Sequence, residues 1–283
     1  VTWIFPVALT ATPAEVRSAP ILLRGDLAGA FRTAAELGCA GLEVHLRHPS
    51  DVQAGTLERW ISDYGLAVPT IGTGMAATLD GLTLAHPDPA IRRQALERLR
   101  AHVDLAAEIG AAVTVGSVSG RIGPDEAERP RRRTAALEAL AELCRYAHAR
   151  GVTILLEPLN RYECDYLNTL GDALAVAEEI AAPNLKLLAD TFHMNIEETD
   201  IVAALATAGP RLGHVHLADS NRQAPGRGHL DFAPILAALA RSGYRGFLSF
   251  EVLPVPDPLT AAQQGIRTVQ VLSDRLTAAQ KGE

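Results

Sequence analysis

Short apolar runs rich in β-branched residues alternate eight times with longer stretches rich in Ala, Leu, Glu and Arg. This alternation restricts the fold more than any other property of the chain. The runs predict strands at Trp3–Leu9, Gly41–Leu46, Val68–Gly74, Val113–Val118, Thr153–Pro158, Leu185–Asp190, Gly213–Ala218 and Gly246–Val252. The stretches between them predict helices at Leu27–Leu37, Thr56–Tyr64, Pro89–Ile109, Thr134–Arg150, Leu170–Ile180, Ile201–Ala208, Phe232–Arg241 and Thr260–Leu276. Glycines such as Gly65 and Gly110 follow the helical stretches, where a left-handed residue closes the last turn. A repeated strand–helix–strand order requires crossover connections and therefore a parallel sheet. Eight such units in 283 residues predict an α/β fold, one closed (β/α)8 TIM barrel occupying residues 1–283 as a single domain. The competing arrangement is a doubly wound open sheet, but no Gly-x-Gly-x-x-Gly follows a strand.

Composition narrows the function classes. The chain is 48% hydrophobic and 21% charged, which suits a globular fold and excludes disordered or coiled-coil chains. A net charge of -7 argues against nucleic acid as a partner, because phosphate neutralisation needs a surplus of Lys and Arg. No apolar run is long enough to span a bilayer, and no basic-then-apolar leader opens the sequence. Cys39, Cys144 and Cys164 are few, odd in number and without metal-ligand spacing, which predicts a reducing, cytoplasmic setting.

The chemistry gathers at the C-terminal ends of the last four predicted strands. Glu157, Asp190, His216 and Glu251 each stand near the end of an otherwise apolar run. Taken singly, Asp190 reads equally well as a helix cap and His216 as a satisfied core histidine. Taken together, they converge on the functional face of a barrel, where three carboxylates repel unless a cation joins them. Two Glu, one Asp and one His form a hard, mostly oxygen donor set that suits Mn²⁺, Mg²⁺ or Co²⁺. His214 shares the inward face of its strand but sits deeper, as a packing or supporting group. Glu43 and His45 share one face of the second predicted strand. The connections Met75–Pro87 and Ser119–Arg133 are long, and the run Arg131–Arg133 reads as a solvated helix start.

The phrases Leu-Glu-Pro-Leu-Asn-Arg-Tyr-Glu (156–163), Ala-Asp-Thr-Phe-His-Met-Asn (189–195), His-Val-His-Leu-Ala-Asp-Ser-Asn-Arg (214–222) and Gly-Arg-Gly-His-Leu-Asp-Phe (226–232) resemble the xylose-isomerase-like sugar epimerases. Within that superfamily they are most similar to the ketose 3-epimerase group that acts on D-tagatose and D-psicose. The resemblance runs along the whole barrel and is strongest from Thr153 to Leu253.

It implies that Glu157, Asp190, His216 and Glu251 hold one divalent metal ion, Mn²⁺ foremost with Co²⁺ or Mg²⁺ possible. It implies that Glu163, His193 and Arg222 bind substrate. The implied reaction is epimerisation at C3 through an enediolate, with Glu157 and Glu251 as the catalytic acid and base. It also implies a homodimer or homotetramer, and a small sugar or keto-acid substrate as the partner. Arg47 and Arg121 follow the second and fourth predicted strands. Were either to face the pocket, an anionic substrate such as the keto-aldonate 5-keto-L-gluconate would fit. An aldose–ketose or hydroxypyruvate isomerase on the same barrel is a further alternative. An endonuclease of the three-zinc type needs more histidine ligands and a basic surface, which this chain lacks.

Overall fold

The computed structural model describes residues 4–16 and 19–281, with the side chains of 279–281 left out. Eight parallel strands form a closed barrel: β1 (Val7–Thr12), β2 (Gly41–His45), β3 (Thr70–Gly72), β4 (Ala112–Val115), β5 (Ile154–Leu156), β6 (Leu185–Asp190), β7 (Leu212–His216) and β8 (Leu248–Phe250). Each pairs in parallel with the next, and β8 returns to β1 with Leu9 opposite Phe250. A two-residue strand, Leu23–Arg24, pairs with the end of β1 from outside the ring.

Among the described residues lie ten α-helices: α1 (Leu27–Glu36), α2 (Ala54–Tyr64), α3 (Gly74–Thr78), α4 (Pro89–Ile109), α5 (Arg129–His148), α6 (Leu170–Ile180), α7 (Thr191–Glu197), α8 (Ile201–Ala208), α9 (Phe232–Arg241) and α10 (Pro258–Lys281). Their starts are set locally. Asp26, Asp88, Asp200 and Asp231 each accept a hydrogen bond from a backbone N–H of the first turn. Thr169 and Asp172 form a reciprocal capping box at α6. Gly110 ends α4 at φ 71°, where a Cβ would be strained. The apolar core lies between the strands and this helical layer, with Leu9, Phe31, Leu42, Leu99 and Phe250 fully buried. Burial at roughly 1.5–3 kcal/mol per such side chain outweighs the few tenths to about 1 kcal/mol typical of a cap, so packing holds the barrel and caps set its boundaries.

Several expected boundaries move. Trp3, the expected start of the first strand, lies outside the described residues. β1 continues past Leu9 to Thr12 because its buried threonines find partners, the Thr10 hydroxyl donating to the Phe250 carbonyl at 2.9 Å. The expected long connection after β3 contains part of α3, and α5 begins at Arg129, so Arg131–Arg133 lie inside the helix. Arg131 is largely exposed, whereas Arg132 donates to the Ala85 and Arg121 carbonyls and ties two loops to the helix. Among the described residues, no helix is long and apolar enough to cross a membrane, and all three cysteines are buried free thiols.

Candidate metal and substrate site

Asp190 and His216 are the last residues of their strands, and Glu157 and Glu251 stand one residue past theirs. The strand ends therefore present four side chains at one level of the barrel mouth. Their potential ligand atoms all lie within 4.8 Å of one another. His216 Nδ1 is 3.5 Å from Glu157 Oε1, 3.7 Å from Asp190 Oδ2 and 3.6 Å from Glu251 Oε2. That nitrogen is buried and has no hydrogen-bond partner. An orphaned ring nitrogen ringed by three carboxylate oxygens is what a ligand set for a cation looks like.

Two glycines make the room. A Cβ on Gly116 would stand 2.3 Å from Glu157 Oε2, and one on Gly72 would stand 2.3 Å from His45 Nδ1.

Beneath the four groups lies a second polar layer. Glu43 is fully buried and accepts from His216 Nε2 at 3.1 Å and His214 Nε2 at 3.0 Å. His45 Nε2 lies 3.0 Å from the same carboxylate, and His214 Nε2 also lies 2.8 Å from the Ser249 hydroxyl. Burial opposes the charge on Glu43, but His216, His214 and His45 outweigh it and hold the carboxyl well below its usual range. With its Nε2–H given to Glu43, His216 turns Nδ1 to the mouth of the barrel. Burial opposes a charge on the ring, but Glu43, Glu251, Asp190 and Glu157 raise its pKa well above the ordinary value, and a cation bound there would take the place of the Nδ1 proton.

Asp190 divides its two oxygens. Oδ1 accepts from the Phe192 N–H at 2.8 Å and caps α7, while Oδ2 faces His216 and accepts from Arg222 Nη1 at 2.5 Å. Asp190 is thus a helix cap, and its second oxygen stands in the four-residue cluster. Burial works against its ionisation, yet Arg222, His193 and His216 hold the group far into the ionised range. Glu157 and Glu251 differ. Burial lifts both carboxyls above the ordinary range, against the pull of His216 and Arg222.

The expected substrate residues stand above this cluster. His193 belongs to the short helix α7, not to a loop, and its Nε2 lies 3.8 Å from Asp190 Oδ2. Burial lowers its pKa below the ordinary histidine value. Glu163 is half-exposed, with Oε1 4.0 Å from His193 Nδ1. Arg222 also pairs with Glu251 and lies 4.8 Å over the Phe192 ring. Among the described residues, Arg222 is one of two non-glycine residues with positive φ, at 61°. Such a conformation costs on the order of 1 kcal/mol and persists only where neighbours fix it. Here the Arg222 N–H donates to the Asp219 carbonyl and the Arg222 carbonyl accepts from Leu253 N–H, each at 2.8 Å. Asp219 is buried and accepts from the N–H groups of Ser220, Gly226 and Leu230, which folds the loop carrying Arg222.

Sequence reasoning left the roles of Glu43 and Asp219 unread. A carboxylate inside Gly-Leu-Glu-Val-His was a visible signal, but two of its three histidine partners lie more than 170 residues away.

A cavity of about 520 Å³ opens over the site, lined by Glu157, Glu163, His193, Arg222 and Glu251 on one side and by Ile21, Met75, Leu79 and Leu253 among others. Arg47 and Arg121 are absent from its wall. Arg47 is held by Asp80, with Nε 2.9 Å from Oδ1, and Arg121 donates to the Tyr162 carbonyl at 3.0 Å.

Known proteins share this architecture. An L-ribulose 3-epimerase from Mesorhizobium japonicum is 36% identical over 230 residues, 81% of this chain and 76% of that one. A D-psicose 3-epimerase from Ruminiclostridium cellulolyticum is 34% identical, over 77% of this chain and 75% of that one. A solved structure of L-ribulose 3-epimerase superposes with a TM-score of 0.83 at 28% identity, covering 99% of this chain and 97% of that one. Residues 31–271 match the model of one family, and the chain belongs to it: the xylose isomerase-like TIM barrel family.

Proposed function

We propose that this protein is a divalent-metal-dependent ketose 3-epimerase acting on an uncharged sugar of the ribulose, psicose or tagatose kind. The observation that carries the reading is the orphaned His216 Nδ1 facing Glu157, Asp190 and Glu251. The names of the relatives, which are 3-epimerases, support the reaction. Glu157, Asp190, His216 and Glu251 would hold the ion, and their oxygen-rich set favours Mn²⁺, Mg²⁺ or Co²⁺. A bound divalent ion supplies Lewis-acid polarisation of the ketone, which acidifies the adjacent C–H.

Glu157 and Glu251 then divide the proton work. One, ionised, removes the C3 proton; the other, protonated, delivers a proton to the opposite face. The two carboxyls exchange protonation states in each turnover. Burial that lifts both above the ordinary carboxylate range suits a pair that must give as well as take. His193 and Arg222 stabilise the negative charge of the enediolate, and Glu163 accepts a hydrogen bond from a substrate hydroxyl. An uncharged distal end suits the described part of the wall. Among its described lining residues Arg222 is the one Arg or Lys, and it is paired with Asp190 and Glu251. A keto-uronate or keto-aldonate would find neither Arg47 nor Arg121 there.

The test is proton exchange in D₂O. With Mn²⁺ present, deuterium is expected at C3 of the accepted ketose together with its C3 epimer, and chelation is expected to stop both. No exchange with any ketose of a panel would overturn the reading. Glu157→Gln and Glu251→Gln are each expected to reduce turnover by at least about 10²-fold, the lower end for general acid–base groups. Near-normal turnover in either would remove that residue from the acid–base pair.

A further inference from the structure

Among the described residues, Asn160 forms no hydrogen bond with the four-residue cluster, yet it hydrogen-bonds two of the three substrate residues. It is buried, at 2% exposure, in the segment between β5 and α6. Its Nδ2 lies 2.9 Å from Glu163 Oε1 and 2.7 Å from His193 Nδ1. Its Oδ1 accepts from the Tyr162 N–H at 3.0 Å. Its own backbone N–H points at His193 Nδ1, 3.3 Å away.

These contacts fix two things that atom positions alone leave open. The first is which end of the amide is nitrogen. In the reversed orientation the amide oxygen would face the Glu163 carboxylate and the NH₂ would face the Tyr162 N–H. Both contacts would be repulsive, so the orientation is settled by its neighbours. The second is the proton on His193. Nδ1 faces two groups that can only donate, the Asn160 side-chain NH₂ and the Asn160 backbone N–H. Nδ1 must therefore be the acceptor, and the ring proton sits on Nε2. His193 lines the cavity, and it is Nε2 that approaches the Asp190 side of the site.

We infer that Asn160 is a positioning residue that fixes the tautomer of His193 and the rotamer of Glu163, so that the pair presents one N–H donor and one carboxylate acceptor to an α-hydroxyketone. Its two amide hydrogens serve the two residues at once. His193 Nε2–H donates to the ketone or enediolate oxygen, and the Glu163 oxygen not held by Asn160 accepts from the neighbouring hydroxyl. A hydroxyketone carries this acceptor and donor on adjacent carbons. The roles of His193 and Glu163 as substrate contacts rest on the function proposed above; the tautomer assignment does not.

The tautomer is read directly from the imidazole ¹⁵N resonances of ¹⁵N-histidine-labelled protein loaded with Mg²⁺, a diamagnetic ion. His193→Gln identifies the signal among those of the nine histidines. In the wild type, His193 is expected to show a pyridine-like Nδ1 and a protonated, pyrrole-like Nε2. In Asn160→Asp an acceptor replaces the donor, and Nδ1 is expected to become protonated. In Asn160→Ala the backbone donor remains, so the Nε2–H form is expected to persist while Glu163 loses its tether. Both variants are expected to lose about 10–100-fold in kcat/KM, the range for partners that orient site groups. Mn²⁺ affinity should stay within about twofold, because Asn160 hydrogen-bonds none of the four proposed ligands.

A protonated Nδ1 in wild-type His193 would overturn the inference. So would an Asn160→Asp variant with unchanged ¹⁵N shifts. If a variant fails to fold, the wild-type spectrum still decides. If no ketose exchanges its proton, the function proposed above fails while the tautomer result stands or falls separately.

Discussion

Glu43→Gln tests the layer beneath the proposed ion. The carboxylate of Glu43 receives imidazole N–H groups from His214 and His216 and lies beside a third ring, His45. A glutamine keeps the shape but turns one oxygen into an NH₂ donor. At least one imidazole nitrogen must then stop donating. If His216 yields, its proton moves to Nδ1, and the lone pair facing Glu157, Asp190 and Glu251 is lost. If His214 or His45 yields, the charge that orients His216 is still gone. Loss of such a carboxylate–histidine partner typically costs 10–100-fold in metal affinity, or about 1.4–2.8 kcal/mol. Isothermal titration with Mn²⁺ measures the effect, with far-UV circular dichroism to show an intact fold. A folded variant with a Kd within about twofold of wild type would refute the argument that Glu43 sets the proton on His216.

Other expectations follow from the same geometry. Gly116→Ala would drive a methyl into Glu157, 2.3 Å from Oε2, and overpacking of this kind costs about 1–3 kcal/mol. Its Mn²⁺ signal in an EPR titration should show weakened binding, and unchanged binding would mean Glu157 is not needed in its present position. Chelation of the bound ion should lower the melting temperature. An ion at 100 times its Kd stabilises by about 2.7 kcal/mol, or roughly 4–5 °C for a chain of this size. No shift with EDTA by differential scanning calorimetry would count against a resident ion. Burial pushes the imidazole of His102 down to about 4, more strongly than the facing carbonyls of Arg98 and Leu46 raise it. The unfolded chain therefore takes up this proton first as pH falls. Stability that is full above about pH 6.5 is lost progressively toward pH 4, by up to about 3 kcal/mol. Denaturant melts of His102→Gln should show a shallower acid slope over that window, and an unchanged slope would show that His102 does not contribute.

The barrel and its mouth were legible because each depends on local pattern. Strand periodicity of two places alternate residues on one face, so an acid or histidine near the end of an apolar run announces itself. Glu157, Asp190, His216 and Glu251 were found in this way, and the structure brings all four together. What stayed hidden depends on distant partners. Glu43 gains its meaning only from His214 and His216 across the barrel. Arg47 reads as a free cation until Asp80, from beyond β3, is folded against it. The helix α7 has seven residues, too few for a periodic apolar stripe, so His193 read as a loop residue. Thr10 and Thr12 blurred the end of β1 because a buried hydroxyl is acceptable only when a remote carbonyl receives it.

Asp190 has a consequence that concerns order. One of its oxygens caps the helix carrying His193, and the other faces the proposed ion. That second oxygen also accepts from Arg222, which pairs with Glu251 as well. On the function proposed above, an ion would share two carboxylates with the guanidinium, and Arg222 released from them would turn to the sugar. Ion and sugar would then draw on the same side chains, the ion first. Such coupling would run equally in both directions, so a bound sugar should raise the affinity for the ion in a chelator competition titration.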